Sequence, residues 1–167
     1  MLKPNYLLKD VYCVTYEFLQ QNNIKAVIFD IDNTLVGFKV KEPTEKIVEH
    51  INYLKQNGIK VAIASNNNKV RVGKFCEKLD VPFIHRACKP LPFGLLKMAR
   101  EMGVKCKQTM LVGDQVYTDS LGANFLGMTS VMVDIIDTKE TLLFKIKRAL
   151  EKPVINAKLR EDNKKND

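Results

Sequence analysis

A run of apolar residues, Ala26-Val27-Ile28-Phe29, ends abruptly in Asp30-Ile31-Asp32-Asn33-Thr34. No other segment constrains the fold as strongly. A continuous apolar run with β-branched residues fits a strand covered on both faces, as in a parallel sheet. Two carboxylates buried inside such a strand would be costly, because an unpaired buried carboxylate loses its hydration. They are tolerated where the strand ends and opens on the crevice that α/β sheets use for ligands. Side chains at i and i+2 lie on one side of a strand, so both acids can reach one ligand. A cation between them would relieve their repulsion. A strand followed by an ordinary Asp-Asn turn is the plainer alternative.

The rest of the chain repeats the alternation. Apolar runs at 24–29, 59–64, 81–84, 109–112 and 129–133 read as strands. Amphipathic stretches at 7–21, 69–79, 91–102, 118–126 and 139–151 read as helices, with another opened by Pro43-Thr44 and closed before Gly58. Strand–helix alternation predicts an α/β fold: a Rossmann-like three-layer sandwich with a mostly parallel sheet and right-handed crossovers. The expected organisation is a helical extension at 1–23, one α/β domain at 24–153, and a polar, disordered tail at 154–167.

With 167 residues, the chain is long enough for one domain with a real core. Its net charge of +8 suits phosphorylated, nucleic-acid or anionic-lipid partners. No Arg/Gly repeats or strings of aromatics accompany the basic residues, which argues against nucleic acid. No stretch is long and apolar enough to span a membrane, and the N-terminus lacks the apolar core of a signal peptide, so a cytoplasmic protein is expected. Cys13, Cys76, Cys88 and Cys106 form no C-x-x-C pair, and His50 and His85 are the only histidines. That argues against zinc and leaves free thiols. His85 is expected to be packed or at the surface, not catalytic.

Polar clusters follow the strands: Asp30/Asp32/Thr34, Ser65/Asn66, Lys89, and Asp114/Asp119. In a parallel sheet all strand C-termini lie along one edge, so these clusters converge. Carboxylates with few histidines suit a hard divalent ion, and Mg²⁺ fits because it binds carboxylates and phosphate oxygens together. Ser65 offers a hydroxyl and Lys89 a point charge suited to phosphate. A cation-neutralised carboxylate can act as a nucleophile, and a second one two residues on can serve as acid and base. Taken singly, Ser65-Asn66 reads as a helix cap, Lys89-Pro90 as a loop, Gly113-Asp114 as a turn and Asp119 as a helix-start acid. Only their joint order points to a site.

That joint order resembles the haloacid dehalogenase-like (HAD) phosphohydrolase superfamily, over roughly residues 24–135. The carrying segments are Asp30-Ile31-Asp32-Asn33-Thr34, Ser65, Lys89-Pro90, and Gly113-Asp114-Gln115-Val116-Tyr117-Thr118-Asp119. More narrowly, Ile24–Leu35, Ile59–Asn67 and Val112–Gln115 look like the YqeG-type phosphatases of the capless IIIA subclass, which are related to phosphatidylglycerophosphate phosphatases. The resemblance implies an aspartyl-phosphate mechanism with Mg²⁺. Asp30 would be nucleophile and metal ligand. Asp32 would be general acid/base and a ligand through its backbone carbonyl. Thr34, Ser65 and Asn66 would hold the site and phosphate, and Lys89 would stabilise the phosphoryl group. Asp114 would bind metal, and Asp119 would do so through water or as support. The second aspartate favours phosphoryl transfer over dehalogenation.

Only 30 residues separate Leu35 from Ser65, and a helix and a strand consume most of them. No cap domain fits there or between Asn67 and Lys89. The expected partner is a phosphorylated substrate, with a lipid phosphate at the membrane surface as one candidate. Lys145, Lys147, Arg148 and Lys152 read as a solvated helix face, with docking to anionic lipid in a peripheral association as the alternative. A homo-oligomer covering the open site is a further option. The alternatives are a phosphatase for nucleotides, sugar phosphates or macromolecular phosphates, and a non-catalytic binding scaffold.

Overall fold

The apolar run Ala26–Phe29 is buried at every residue, and its side chains alternate between two cores. In the computed structural model, which describes residues 2–137 and 142–166, this run is one of six strands: Tyr6–Leu8 (β1), Ala26–Phe29 (β2), Lys60–Ala64 (β3), Phe83–Ile84 (β4), Thr109–Gly113 (β5) and Thr129–Val133 (β6). They form a single sheet in the order β1-β6-β5-β2-β3-β4, with every neighbouring pair parallel.

The helices are Tyr16–Gln21 (α1), Glu45–Gln56 (α2), Lys69–Cys76 (α3), Pro92–Glu101 (α4), Leu121–Phe125 (α5) and Leu142–Asn166 (α6). Thr15, Thr44 and Asn68 start the first three by accepting backbone N–H bonds from Phe18, Ile47 and Arg71. Val27 and Phe29 pack on one sheet face with Leu19, Ile47, Ile51, Leu54, Val72 and Phe75. Ala26, Ile28, Ala62 and Ala64 face the other way, toward Leu95, Met98, Ala99 and Ala123. The sheet is therefore sandwiched between two helical layers, with small residues where α4 and α5 approach.

Chain order leaves β2 for β3 and β4 on one side, then returns to β5 and β6 on the other. The reversal lies between β2 and β5, and such a switch point opens a crevice at the strand C-termini. Asp30 follows β2 there, and Asp114 follows β5.

Both ends of the chain differ from the sequence reading. The stretch 7–21 is not one helix. It contains β1, a turn of 3₁₀ helix at Val11–Cys13, and the short α1. Asp10 accepts the Tyr12 N–H at 2.9 Å and Thr15 accepts the Phe18 N–H at 3.2 Å, so two capping residues sit inside the supposed helix. β1 adds to the sheet edge through Tyr6↔Val131 and its neighbours. At the other end, the helix expected at 139–151 continues through Pro153 to Asn166, over most of the stretch read as a tail; residues 139–141 of that reading lie outside the described residues. Proline removes one helix donor, and tertiary contacts outweigh that loss. Glu151 and Lys158 are buried, and Ile155 and Leu159 line a groove against Leu7, Leu8 and Met132.

The N-terminal segment carries core, so Leu19→Ala should destabilise the protein by about 2–5 kcal/mol, the usual cost of truncating a fully buried leucine. Urea unfolding measures this. A loss below about 1 kcal/mol would mean that α1 is not part of the main core.

Candidate active site

The centre of the site is an ammonium group removed from water. Lys89 Nζ lies 2.7 Å from Asp30 Oδ1 and 2.6 Å from Asp119 Oδ1, and its side chain is only 2% exposed. Asn66 holds the lysine backbone from both sides. Its Oδ1 accepts the Lys89 N–H at 2.8 Å, and its Nδ2 donates to the Lys89 carbonyl at 3.0 Å. The remaining Asp119 oxygen accepts from Gln115 N–H at 3.1 Å and from the Thr118 hydroxyl at 3.4 Å. Gly113 makes room for that carboxylate, since a Cβ there would stand 2.3 Å from Asp119 Cγ.

Asp32 faces the same cavity from another direction. Arg71 Nη2 donates to its Oδ1 at 2.9 Å and Asn67 Nδ2 to its Oδ2 at 3.1 Å. Both donors come from the N-terminal end of α3 or the loop before it. Ser65 is buried, and its hydroxyl accepts the Asn67 N–H at 3.1 Å. Asp30, Asp32, Ser65, Asn66, Lys89 and Asp119 all line one cavity of about 270 Å³, which Phe38 and Phe144 also border. The two rings are in contact, with centroids 5.1 Å apart.

Asp114 and Thr34 do not line that cavity. They sit behind it, and Thr34 donates its hydroxyl to Asp114 Oδ1 at 3.3 Å. Arg148, from α6, donates to the Asp114 carboxylate and to its backbone carbonyl. Glu151, one turn on, takes Arg148 at 3.3 Å and accepts the Val116 N–H at 2.8 Å. Tyr117 donates its hydroxyl to the Leu150 carbonyl at 3.1 Å. The last helix is thereby fastened to the loop that carries Asp114.

Sequence reasoning did not assign Arg71, Asn67 or Glu151 to the site, and it read Arg148 as part of a solvated helix face, with lipid docking as the alternative. The structure gives Arg148 to Asp114 and Glu151 instead. A basic residue looks alike in sequence whether it faces water or a buried acid. The only trace was Arg148 and Glu151 at helical spacing beside apolar positions.

Charge does not balance among these ion pairs. Asp30, Asp32, Asp114, Asp119 and Glu151 are five carboxylates, against three cations, Arg71, Lys89 and Arg148. Burial pushes the Asp30 carboxyl up to about 8 against the pull of Lys89, with Asp119 and Asp114 pushing the same way. Burial and Asp119 raise Asp114 to about 6, opposed by Arg148. Burial disfavours the Lys89 charge, but Asp119 and Asp30 outweigh it and hold the ammonium above its ordinary value. Among the described residues, no three histidine, cysteine or acidic side chains already converge as a ligand shell. The donor chemistry nonetheless fits a hard divalent cation: oxygen ligands only, with more carboxyl groups than cations among them.

Comparison with known proteins follows the same lines. A family model described as haloacid dehalogenase-like hydrolase matches residues 36–127, starting just after the Asp30–Thr34 segment. The protein called "Probable phosphatase YqeG" from Bacillus subtilis (strain 168) is 34% identical over 154 residues, covering 92% of this chain and 90% of that one. Among solved structures, 3-deoxy-D-manno-octulosonate 8-phosphate phosphatase from Moraxella catarrhalis, in complex with magnesium, phosphate and KDO, is 20% identical with a TM-score of 0.56, over 72% of this chain and 75% of that one. The cobalt-bound deoxy-D-mannose-octulosonate 8-phosphate phosphatase from Haemophilus influenzae is 21% identical with a TM-score of 0.54, over 66% and 68%. These two structures share the fold.

The space at Gly113 supports a sharp expectation. Gly113→Ala should displace Asp119, loosen Lys89 and lower kcat by about 100-fold or more, because small displacements of catalytic groups are that costly. Steady-state kinetics on a well-folded variant measure it, and turnover near wild type would show that Asp119 does not hold Lys89 in place.

Proposed function

From its membership of the haloacid dehalogenase-like hydrolases, where it is a phosphatase, we propose that this chain is a Mg²⁺-dependent phosphomonoesterase acting through an aspartyl phosphate. The observation that carries the proposal is the buried Lys89 ammonium held between Asp30 and Asp119. A carboxylate fixed beside a cation, at the open end of a parallel sheet, suits attack on a phosphorus that carries negative charge.

In this reading an Asp30 oxygen attacks the phosphorus, forming the acyl phosphate as the bond to the leaving oxygen breaks. Asp32 gives its proton to that oxygen, then takes one from the water that hydrolyses the intermediate. Arg71 and Asn67 fix the direction of the Asp32 carboxylate. Lys89 and the Ser65 hydroxyl face the phosphoryl oxygens. Asn66, both of whose amide groups are engaged with the Lys89 backbone, acts by positioning that lysine. Asp119 does the same from below. Asp30, Asp114 and the Asp32 backbone carbonyl would hold Mg²⁺, which when bound supplies neutralising charge to the phosphoryl group. Thr34 supports Asp114 and does not touch phosphate.

The substrate candidate from the family resemblance is phosphatidylglycerophosphate. Among the described residues no helix is long and apolar enough to cross a membrane, so a lipid substrate would be met at the surface. With Arg148 committed to Asp114, the docking role would fall to the exposed Lys145, Lys147 and Lys152.

Phosphate release should be measured on a panel of phosphatidylglycerophosphate, nucleotides and sugar phosphates, with Mg²⁺ and with EDTA. Release with Mg²⁺ alone, abolished in Asp30→Asn, is the expected result. Undiminished release by Asp30→Asn would sink the nucleophile assignment. Hydrolysis of soluble esters only would discard the lipid.

The raised carboxyls make a separate expectation about pH. Asp30 rises from 3.8 to about 8, and Asp114 from 3.8 to about 6. The folded state therefore holds these protons more tightly than the unfolded chain. The stability this contributes is present below about pH 4 and is lost as pH rises through about 6 to 8. A cation must displace the same protons, so Mg²⁺ binding should strengthen over that range. The rise in melting temperature on adding Mg²⁺ should be larger at pH 8.5 than at pH 5.5. An equal rise at both would show that no proton is released.

A further inference from the structure

Beside the catalytic cavity runs a second, wider groove of about 820 Å³, lined by Lys41, Lys69, Arg71, Lys74, His85 and Arg86, with Asn68 and Val70. No acid lines it. Glu42 reaches Lys74 at 3.7 Å and Lys78 at 2.8 Å; Lys41, Lys69 and Arg86 have no ion-pair partner among the ion pairs of the described residues.

The groove and the cavity are lined by neighbouring residues of the same loops. Asn67 belongs to the cavity and Asn68 to the groove, while Phe38 and Lys41 divide one loop in the same way. Arg86 donates its backbone N–H to the Asn67 carbonyl at 2.9 Å. Arg71 lies at the junction, with Nη2 on Asp32 at 2.9 Å. Its other terminal nitrogen, Nη1, is buried without a hydrogen-bond partner, as is Nδ1 of His85. These are two of the four such side-chain atoms among the described residues, and both belong to residues of this groove. A buried guanidinium N–H left unpaired is costly and makes the Arg71 side chain a strong donor group beside the groove. A phosphate supplies several acceptor oxygens and negative charge, which guanidinium and ammonium groups match.

We propose that this groove binds a second phosphate of the substrate, so that the preferred substrates are phosphomonoesters carrying a further phosphate or phosphodiester group. The inference rests on the phosphatase reading for the first phosphate. The groove's own binding does not depend on turnover. The second phosphate would sit against Lys41, Lys69 and Arg86, with the Arg71 guanidinium behind them, while the scissile ester reaches Asp30 across Asn67. The source of that group is either a soluble bisphosphate or a lipid headgroup.

Isothermal titration with non-hydrolysable probes tests it: methylphosphonate against alkane bisphosphonates of increasing spacer length, all with Mg²⁺. At least one bisphosphonate should bind about tenfold more tightly than methylphosphonate, and less so at high salt. Lys41→Glu combined with Lys69→Glu should erase that advantage and leave methylphosphonate binding unchanged. Both positions are exposed, and an acid at the first position of α3 suits the helix dipole, so the double variant should fold. Lys41→Gln with Lys69→Gln should give an intermediate loss. The proposal is overturned if no spacer length improves on methylphosphonate, or if the advantage survives in Lys41→Glu/Lys69→Glu. A bisphosphonate advantage in a protein that hydrolyses no ester would remove the phosphatase reading and keep the groove. Sedimentation with phosphatidylcholine vesicles, with and without phosphatidylglycerol, separates the sources. Binding to the anionic vesicles that the double variant loses supports a lipid headgroup, and bisphosphonate binding without vesicle binding supports a soluble one.

Discussion

The ammonium of Lys89, buried between Asp30 and Asp119, is the interaction on which the site depends. Burial pushes the Asp30 carboxyl up and the Lys89 ammonium pulls against that, while Asp119 and Asp30 together keep the buried lysine charged. Removing one partner from a buried pair typically costs about 3–5 kcal/mol, because the other charge is stranded. The neighbouring structure serves this arrangement. Asn66 grips the lysine backbone, Gly113 leaves the volume that Asp119 fills, and the Gln115 N–H takes the other Asp119 oxygen. The three charged groups lie in segments that follow three different strands of the sheet, so only the assembled fold brings them together.

The last helix extends this dependence to the C-terminal part of the chain. Arg148 neutralises Asp114, and Glu151 accepts backbone N–H groups of the loop that carries it. Asp114 therefore has two competing partners in view: an arginine that stabilises the protein as it stands, and a cation that would share the same carboxylate. An aspartate paired only with solvent would not couple α6 to the site in this way.

The legible parts of the sequence were those where burial and charge conflict. Asp30, Asp32 and Asp114 stand out because each ends an apolar run that has no other reason to carry an acid. The central strands were readable because residues buried on both faces must be apolar throughout. The edges were not. β1 has three residues, all half-buried, and its alternation is too brief to separate from the helical pattern around it. Pro153 suggested an ending, but Ile155 and Leu159, four residues apart, still present one apolar face to the sheet edge. Thr34, expected to help hold the site and phosphate, donates to Asp114 and does not line the cavity. Arg71 left no signal and Arg148 only its helical spacing to Glu151, since a residue's partner is a property of the fold and not of its neighbours in the chain.

The absence of room for a cap shifts the burden of recognition sideways. The interval from Leu35 to Ser65 is occupied chiefly by α2 and β3, and that from Asn67 to Lys89 by α3 and the two-residue β4. Nothing in either can fold over the cavity and enclose a substrate. The contacting rings of Phe38 and Phe144 flank the opening without sealing it. An enzyme with a lid can select a substrate by surrounding it, whereas an open site selects through the surface next to the reacting group. Here that surface is cationic and joined to the cavity through Arg71, the same side chain that orients Asp32. In the proposed mechanism, selectivity and acid–base geometry would thus meet in one guanidinium, so an anion bound in the groove would also bear on the Asp32 carboxylate.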